Sequence, residues 1–495
     1  MAITKWQPPV LRHLTGEHRV VWLELYFDLI YVAALIQLGD QLADDISWEG
    51  VVRFGAVFVL LWWTWTGTTA FMNRFSVDDI THRVLVFFQM FAVGNLALVA
   101  VSPIDDRSAW MVVAYVASRL PVIIMYLRSR SRPGAREAND YFATAFAIGS
   151  SIWIASLLVP TPARYWMWGA ALLMEFLAPI VGAQKSMAAG GNQEHMRERY
   201  ALFTIIVLGE SFVKVLSELA DIGISVETQV FGGLAFVIGA ALWWTYFDDV
   251  ADSTIRPGGP RMGIPWVYAH LPLAMAMTAL GVASKKIVAV GAFDAAVKAN
   301  YLWLLVGSIA LILLATALLD LVTVSPHFAV GLRFRATSRL SAAAAVLLIP
   351  VIVGTSPALL VIALIALVVV AQIAIEVIVA TKAEHRINAE VAAHLDDADH
   401  ACPELFDIGD VTPRTSGCPD CDAKGATPVE LRVCLQCGMV GCCDDTPGQH
   451  ARRHYEETGH HLIASIQPGA TWAYCYDHDA VDADWRTRLA TAEAE

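Results

Sequence analysis

Apolar runs long enough to cross a bilayer recur along most of this chain, and they decide its class before any other feature. They fall at about 20–40, 51–72, 84–102, 109–127, 141–159, 164–183, 200–219, 229–247, 265–283, 300–320, 340–355 and 357–380. A helix needs about 20 such residues to span the hydrocarbon core. The expected fold is therefore an all-α polytopic membrane bundle of about twelve transmembrane helices, its least distinct break lying between Pro350 and Pro357. Hydrophobic residues make up 56% of the chain, charged residues 16%, and the mean hydropathy is +0.53, outside the range of soluble domains. Met1–Arg19 has no continuous apolar core, so no cleavable signal peptide is expected.

The loops carry an orientation signal. With the N-terminus inside, the predicted cytoplasmic segments hold 19 Lys and Arg residues and the opposite loops five (Arg107, Arg164, Lys285, Lys286 and Lys298). That asymmetry predicts cytoplasmic termini. A weak repeat aligns Glu24-Leu25-Tyr26 with Glu198-Arg199-Tyr200, Trp62–Trp65 with Trp243–Tyr246, and Gln89 with His270. It implies two six-helix halves of parallel orientation, a plan used by transporters.

The motifs ELYFDLIYVAALIQL (Glu24–Leu38), HMRERYALFTIIVLGES (His195–Ser211), WWTYFDD (Trp243–Asp249) and YAHLP (Tyr268–Pro272) resemble the membrane proteins called low temperature requirement A. The resemblance covers roughly residues 12–385. It implies a polytopic bacterial-type membrane protein and supplies no substrate.

Ionisable residues inside predicted spans are functional candidates because charge is costly there. Glu24 and Asp28 share one face of the first helix; snorkelling at the cytoplasmic end, or meeting the arginines of the flanks, is their bland reading. Glu210 lies about ten residues into its span, beside Gly209, with Lys214 one turn on and Arg119 as a second partner. Glu175 has no local partner, and His270 is a candidate proton relay. The tryptophan clusters read as an interfacial aromatic belt. No nucleophile triad, phosphate loop or dinucleotide fingerprint is present, so an enzyme is not expected.

All eight cysteines lie after residue 401. Cys418-x2-Cys421, Cys434-x2-Cys437, Cys442, His450, His454 and His460 supply eight ligands, enough for two tetrahedral zinc ions. A helix over Gln449–Thr458, ended by Gly459, is expected. Spacing alone allows sequential or interleaved pairing. The formal net charge of −13 is concentrated after residue 385, which excludes nucleic acid as a partner of the tail. The expected domains are an N-terminal tail (1–19), a membrane domain (20–381), a helical extension with a linker (382–412), a zinc finger (413–480, beginning as early as 400) and a tail (481–495).

This tail resembles the UBP-type zinc finger, the ubiquitin-binding module of deubiquitinating enzymes and one histone deacetylase. The resemblance implies interleaved ligation: Cys418, Cys421, Cys442 and His450 around one zinc, Cys434, Cys437, His454 and His460 around the other. It also implies an upstream third site, left incomplete here because Glu404 stands where that form has histidine. Trp472 and Tyr474 match the aromatics of the peptide pocket. The arginine that grips a ubiquitin C-terminus is missing; Asp444 and Asp445 stand nearby, so ubiquitin is not an expected partner and another peptide is. The two readings are a transporter or channel, proton-coupled, with a cytoplasmic finger for recruitment or sensing, and a membrane-anchored scaffold whose bundle is structural.

Overall fold

The computed structural model describes residues 10–11, 20–99, 104–132, 134–184, 191–251, 253–256, 260–324, 332–354, 356–395, 402–467 and 470–486. The chain forms two compact units, 1–380 and 381–495.

The first unit is helical because its apolar runs must satisfy every backbone group internally in lipid. Its helices are α1 (Trp22–Asp44), α2 (Trp48–Arg74), α3 (Ile80–Val99), α4 (Ile104–Arg128), α5 (Arg136–Ala155) and α6 (Ala163–Val181). Then come α7 (Gln193–Ile222), α8 (Val226–Tyr246), α9 (Pro260–Val288), α10 (Ala299–Val322), α11 (Leu332–Val353) and α12 (Ala358–Leu395). Eleven helices among the described residues are long and apolar enough to cross a membrane. The remaining one of the expected twelve is α6, 19 residues long and polarised by Arg164 and Glu175. Side chains such as Phe91, Leu173, Ile352 and Leu367 face outward on four of these helices, an apolar exterior suited to lipid. The charged extension expected after the last span is continuous with it, as the C-terminal part of α12.

Neighbour relations recur between the halves. Helix α1 packs on α2 and α3, α3 on α4, and α4 on α5; likewise α7 packs on α8 and α9, α9 on α10, and α10 on α11. The halves meet where α1 lies against α7 and α9. Two short antiparallel pairs, β1 (Val10–Leu11) with β2 (Phe75–Ser76) and β3 (Thr254–Ile255) with β4 (Thr323–Val324), tie helix ends together.

The second unit holds two five-residue helices, α13 (Pro403–Asp407) and α14 (Pro419–Ala423), then an antiparallel sheet in the order β6-β5-β7-β8-β9. Its strands are β5 (Leu431–Cys434), β6 (Val440–Cys442), β7 (Leu462–Ser465), β8 (Ala473–Cys475) and β9 (Ala480–Asp482). Helix α15 (His450–Thr458) ends at Gly459, whose φ of 71° is the left-handed stop expected. The finger runs past residue 480: β9 pairs with β8, and Trp485 is fully buried in the core with Val433 and Leu462.

Candidate membrane sites and metal centres

Along the seam between the halves, acids on α1 meet bases on α7. Glu24 Oε2 lies 3.0 Å from His195 Nε2, and Arg199 donates to Asp28 over 2.6 Å while its other terminal nitrogen stands 3.6 Å from Glu24. Further along, Lys214 donates to Asp40 over 2.6 Å. The contacts follow one order in both helices, so α1 and α7 run parallel. Glu24 and Asp28 do not snorkel, being 2% and 0% exposed. Trp65 donates to Asp28 over 2.7 Å, and His195 Nδ1 stands 3.2 Å from the Asn73 side-chain oxygen. Arginines of the flanks were expected as partners of Glu24 and Asp28, and Arg199 is one; sequence reasoning passed over His195 and Asp40. The signal was there: Glu24/Asp28 and His195/Arg199 share an i,i+4 spacing with opposite charge, on the first helix of each half.

Glu210 is placed differently from expectation. Its carboxylate stands 3.8 Å from Lys214 and is 16% exposed, and Lys214 makes its closer pair with Asp40. A Cβ on Gly209 would have no neighbour within 4 Å, so no backbone approaches there. The void beside Glu210 is about 10 Å³, at the lower limit for a single water.

Arg119 pairs with Glu175, not with Glu210, and both are fully buried. Two helices that carry no mutual spacing signal, α4 and α6, bring them together. Glu175 also accepts from Trp63 and Tyr115, each over 3.0 Å, and Arg119 stacks 4.7 Å over Phe146. A Cβ at Gly149 would collide with the Glu175 carboxylate, so α5 approaches closely there. His270 is buried, its Nδ1 2.8 Å from the Trp266 carbonyl and its Nε2 3.0 Å from the Tyr246 hydroxyl, as a neutral imidazole would be held. A further buried cluster, unforeseen from sequence, joins Asp320 to Arg339 over 2.8 Å, with Arg335 and Glu376 alongside. Trp62, Trp63 and Trp65 are core residues, not a belt; Trp243 and Trp244 are half-exposed.

A cavity of about 430 Å³ lies between the halves, lined by residues of α2, α4, α5, α6, α7 and α9. Aromatic rings line much of it, including Trp63, Tyr126, Tyr200 and Tyr268, and Thr66, Asn73, Gln193 and the charged Arg74 add polar groups.

In the finger, the structure selects the interleaved pairing. Cys418, Cys421 and Cys442 converge on His450, their sulfurs 3.2, 3.3 and 3.3 Å from its Nδ1. Cys434, Cys437, His454 and His460 form the second group, with Cys437 Sγ 3.3 Å and His460 Nδ1 3.2 Å from His454 Nε2. Tetrahedral zinc, with bonds of about 2.0–2.3 Å, sets ligand atoms about 3.3–3.8 Å apart, so the donor sets and spacing fit two zinc ions. Without metal, burial and the adjoining thiols push Cys421 up to about 12, and burial pushes Cys434 up to about 11. Burial and neighbouring His460 lower His454, favouring the neutral, ligating imidazole. A cation is what lets these thiols ionise in place. Cys402 and Cys475 meet His478, a donor not foreseen from sequence, in a third group of three; Glu404 turns away to pair with His461.

Of the two pocket aromatics, Trp472 is covered by the Arg432 guanidinium at 4.6 Å, and the Tyr474 hydroxyl donates to Asp479 over 2.6 Å. Asp444 is paired with Arg452 at 2.9 Å, which offsets part of the acidic charge read from the sequence.

Residues 418–484 match the Zn-finger in ubiquitin-hydrolases and other proteins. Ubiquitin carboxyl-terminal hydrolase 45 of Mus musculus is 32% identical over 57 residues, 11% of this chain and 7% of that protein. The solution NMR structure of a Rhodopseudomonas palustris protein is 41% identical, covering 18% of this chain and 85% of its own, with a TM-score of 0.17. Over the membrane unit, an uncharacterized protein of Rhizobium meliloti is 28% identical across 288 residues, 54% of this chain and 69% of that one. Residues 19–375 match the bacterial low temperature requirement A protein (LtrA). This chain is a membrane protein of the LtrA family that carries a UBP-type zinc finger.

Proposed function

We propose that the membrane unit is a transporter, binding a small, largely apolar solute in the cavity between its halves, and that the zinc finger recruits a protein partner on the cytoplasmic side. The cavity carries this reading. Its volume of about 430 Å³ suits a small molecule, and both halves contribute to its wall. Lining residues Asn73, Gln193 and Ile255 belong to helix ends and loops on the side that basic residues mark as cytoplasmic. In this reading both termini are cytoplasmic, in the reducing compartment that suits zinc thiolates, and the protein binds and moves its ligand without altering it chemically. A peptide segment, not a ubiquitin terminus, is the finger's partner.

A thermal-shift screen of small apolar solutes against purified wild type and Ala70→Trp tests the cavity. Solutes that stabilise only the wild type are the expected result, followed by uptake into proteoliposomes. A screen in which both proteins respond alike overturns it. The scaffold reading draws on a separate observation: Arg119 and Glu175 are fully buried and paired with each other, and Trp63 and Tyr115 donate to the same carboxylate, as in a purely structural bundle.

A further inference from the structure

Two polar groups look into the cavity between the halves without a protein partner. Tyr126, on α4, is 2% exposed, its ring held against Phe71 at 5.1 Å and Phe142 at 5.7 Å. It lines the cavity, and its hydroxyl has no hydrogen-bond partner among the described residues, nor is that oxygen sealed off by protein. Asn73, in the last turn of α2, is 7% exposed and turns its side-chain oxygen to His195. Its amide N–H groups, two donors, are left with no partner among the described residues; the nitrogen lies toward Gly191, another lining residue. Rings of Trp63, Phe142, Phe146 and Trp266 make up further wall. No carboxylate is among the described lining residues, and the one charged side chain there, Arg74, is a cation.

We propose that the cavity selects a small aromatic molecule with a carboxylate at one end, the carboxylate accepting from the Tyr126 hydroxyl and the Asn73 amide. This names the solute class of the transport reading and rests on it. Both groups donate, so a ligand that displaces the water meeting them must bring acceptors of its own. A carboxylate brings two charged oxygens, and hydrogen bonds to it are about twice as strong as neutral ones. A carboxamide accepts through one neutral oxygen. A plain hydrocarbon strips water from both donors and returns nothing. An amine finds no acid in the wall to pair its charge. The aromatic body follows from the rings, whose faces and edges suit another ring better than a branched chain. The order of affinity is therefore carboxylate, carboxamide, hydrocarbon, amine.

Isothermal titration of the full-length protein in lipid nanodiscs with 2-naphthoate, 2-naphthamide, 2-naphthylmethylamine and naphthalene tests that order. The expected result is tightest binding of 2-naphthoate. Tyr126→Phe deletes one oxygen and keeps the ring contacts, so it should weaken 2-naphthoate about tenfold or more and leave naphthalene unchanged. Asn73→Asp keeps an oxygen toward His195 and puts an acid in the wall, so preference should move from the naphthoate to the amine. Naphthalene binding as tightly as 2-naphthoate, with neither altered by Tyr126→Phe, overturns the carboxylate proposal and leaves a solute cavity standing. So does tighter binding of the amine by the wild type. Naphthoate binding that persists at full strength in Ala70→Trp lies elsewhere and also overturns it. If none of the four probes binds, the solute cavity falls and the proposal with it.

Discussion

The membrane unit and the zinc finger face the same problem, ionisable groups closed off from water, and solve it with different partners. In the bundle, buried charges among the described residues meet other side chains: Asp28 with Arg199, Glu175 with Arg119, Asp320 with Arg339. In the finger Cys418, Cys421 and Cys442 are three thiols with one imidazole and no cationic side chain in the group, and only a metal ion can balance them once ionised. These bundle pairs are balanced by side chains; the thiols of the finger are not. Loss of metal should therefore act on one unit alone.

Chelation gives the largest expected effect. Structural zinc contributes about 10–16 kcal/mol of apparent binding energy in small fingers, so stripping the metal should make residues 402–486 protease-sensitive while tryptophan fluorescence from the membrane unit stays unchanged. Cys442→Ser should behave likewise and bind fewer than two zinc ions per chain. A finger that keeps its protease resistance after chelation would break the contrast.

Next in size comes Asp28→Leu. It removes the closest acid from Arg199 and leaves it only the longer contact to Glu24; removing one partner of a buried pair costs up to about 3–5 kcal/mol, read as a lower melting temperature in detergent. Glu210→Gln should barely move that temperature, because Glu210 is partly exposed and Lys214 retains Asp40.

The Arg119–Glu175 pair sharpens the comparison further. Arg119→Met together with Glu175→Leu removes both charges and should change stability by less than either change alone, since an apolar pair of similar size often substitutes well. Gly149→Ala, which presses on the Glu175 carboxylate, should cost about 1–3 kcal/mol by overpacking. If the double variant melts as low as Arg119→Met alone, the pair is not an isolated charge balance. The smallest effect is expected from Cys443→Ser. Its sulfur lies 3.5 Å from the Thr446 hydroxyl and belongs to neither zinc group, so zinc content should stay at two and stability should fall by less than about 1.5 kcal/mol.

These two regions also differ in how far the sequence exposes them. The eight zinc ligands sit within 43 positions, from Cys418 to His460, and their local spacing names them before any fold is known. Only the interleaving needed the sheet, which brings Cys442 on β6 beside α15 and His450. Apolar run length likewise marked the helices. What stayed hidden was which helix faces which. Arg119 and Glu175 are 56 residues apart on helices with no shared pattern, and Glu24 and His195 are 171 apart. Depth within a span made Glu210 conspicuous, but depth does not report which way a side chain points. Helix packing decided that, turning Glu210 partly outward and Glu175 fully inward.

The seam pairs also act as a vernier. Acids at Glu24 and Asp28 are spaced like the bases at His195 and Arg199, and Asp40 with Lys214 adds a third tooth. Sliding α7 along α1 by one turn, about 5.4 Å, would bring Arg199 to Glu24 and leave Asp28 and His195 unmatched at once. The three pairs thereby fix the register in which α1 of one half meets α7 of the other.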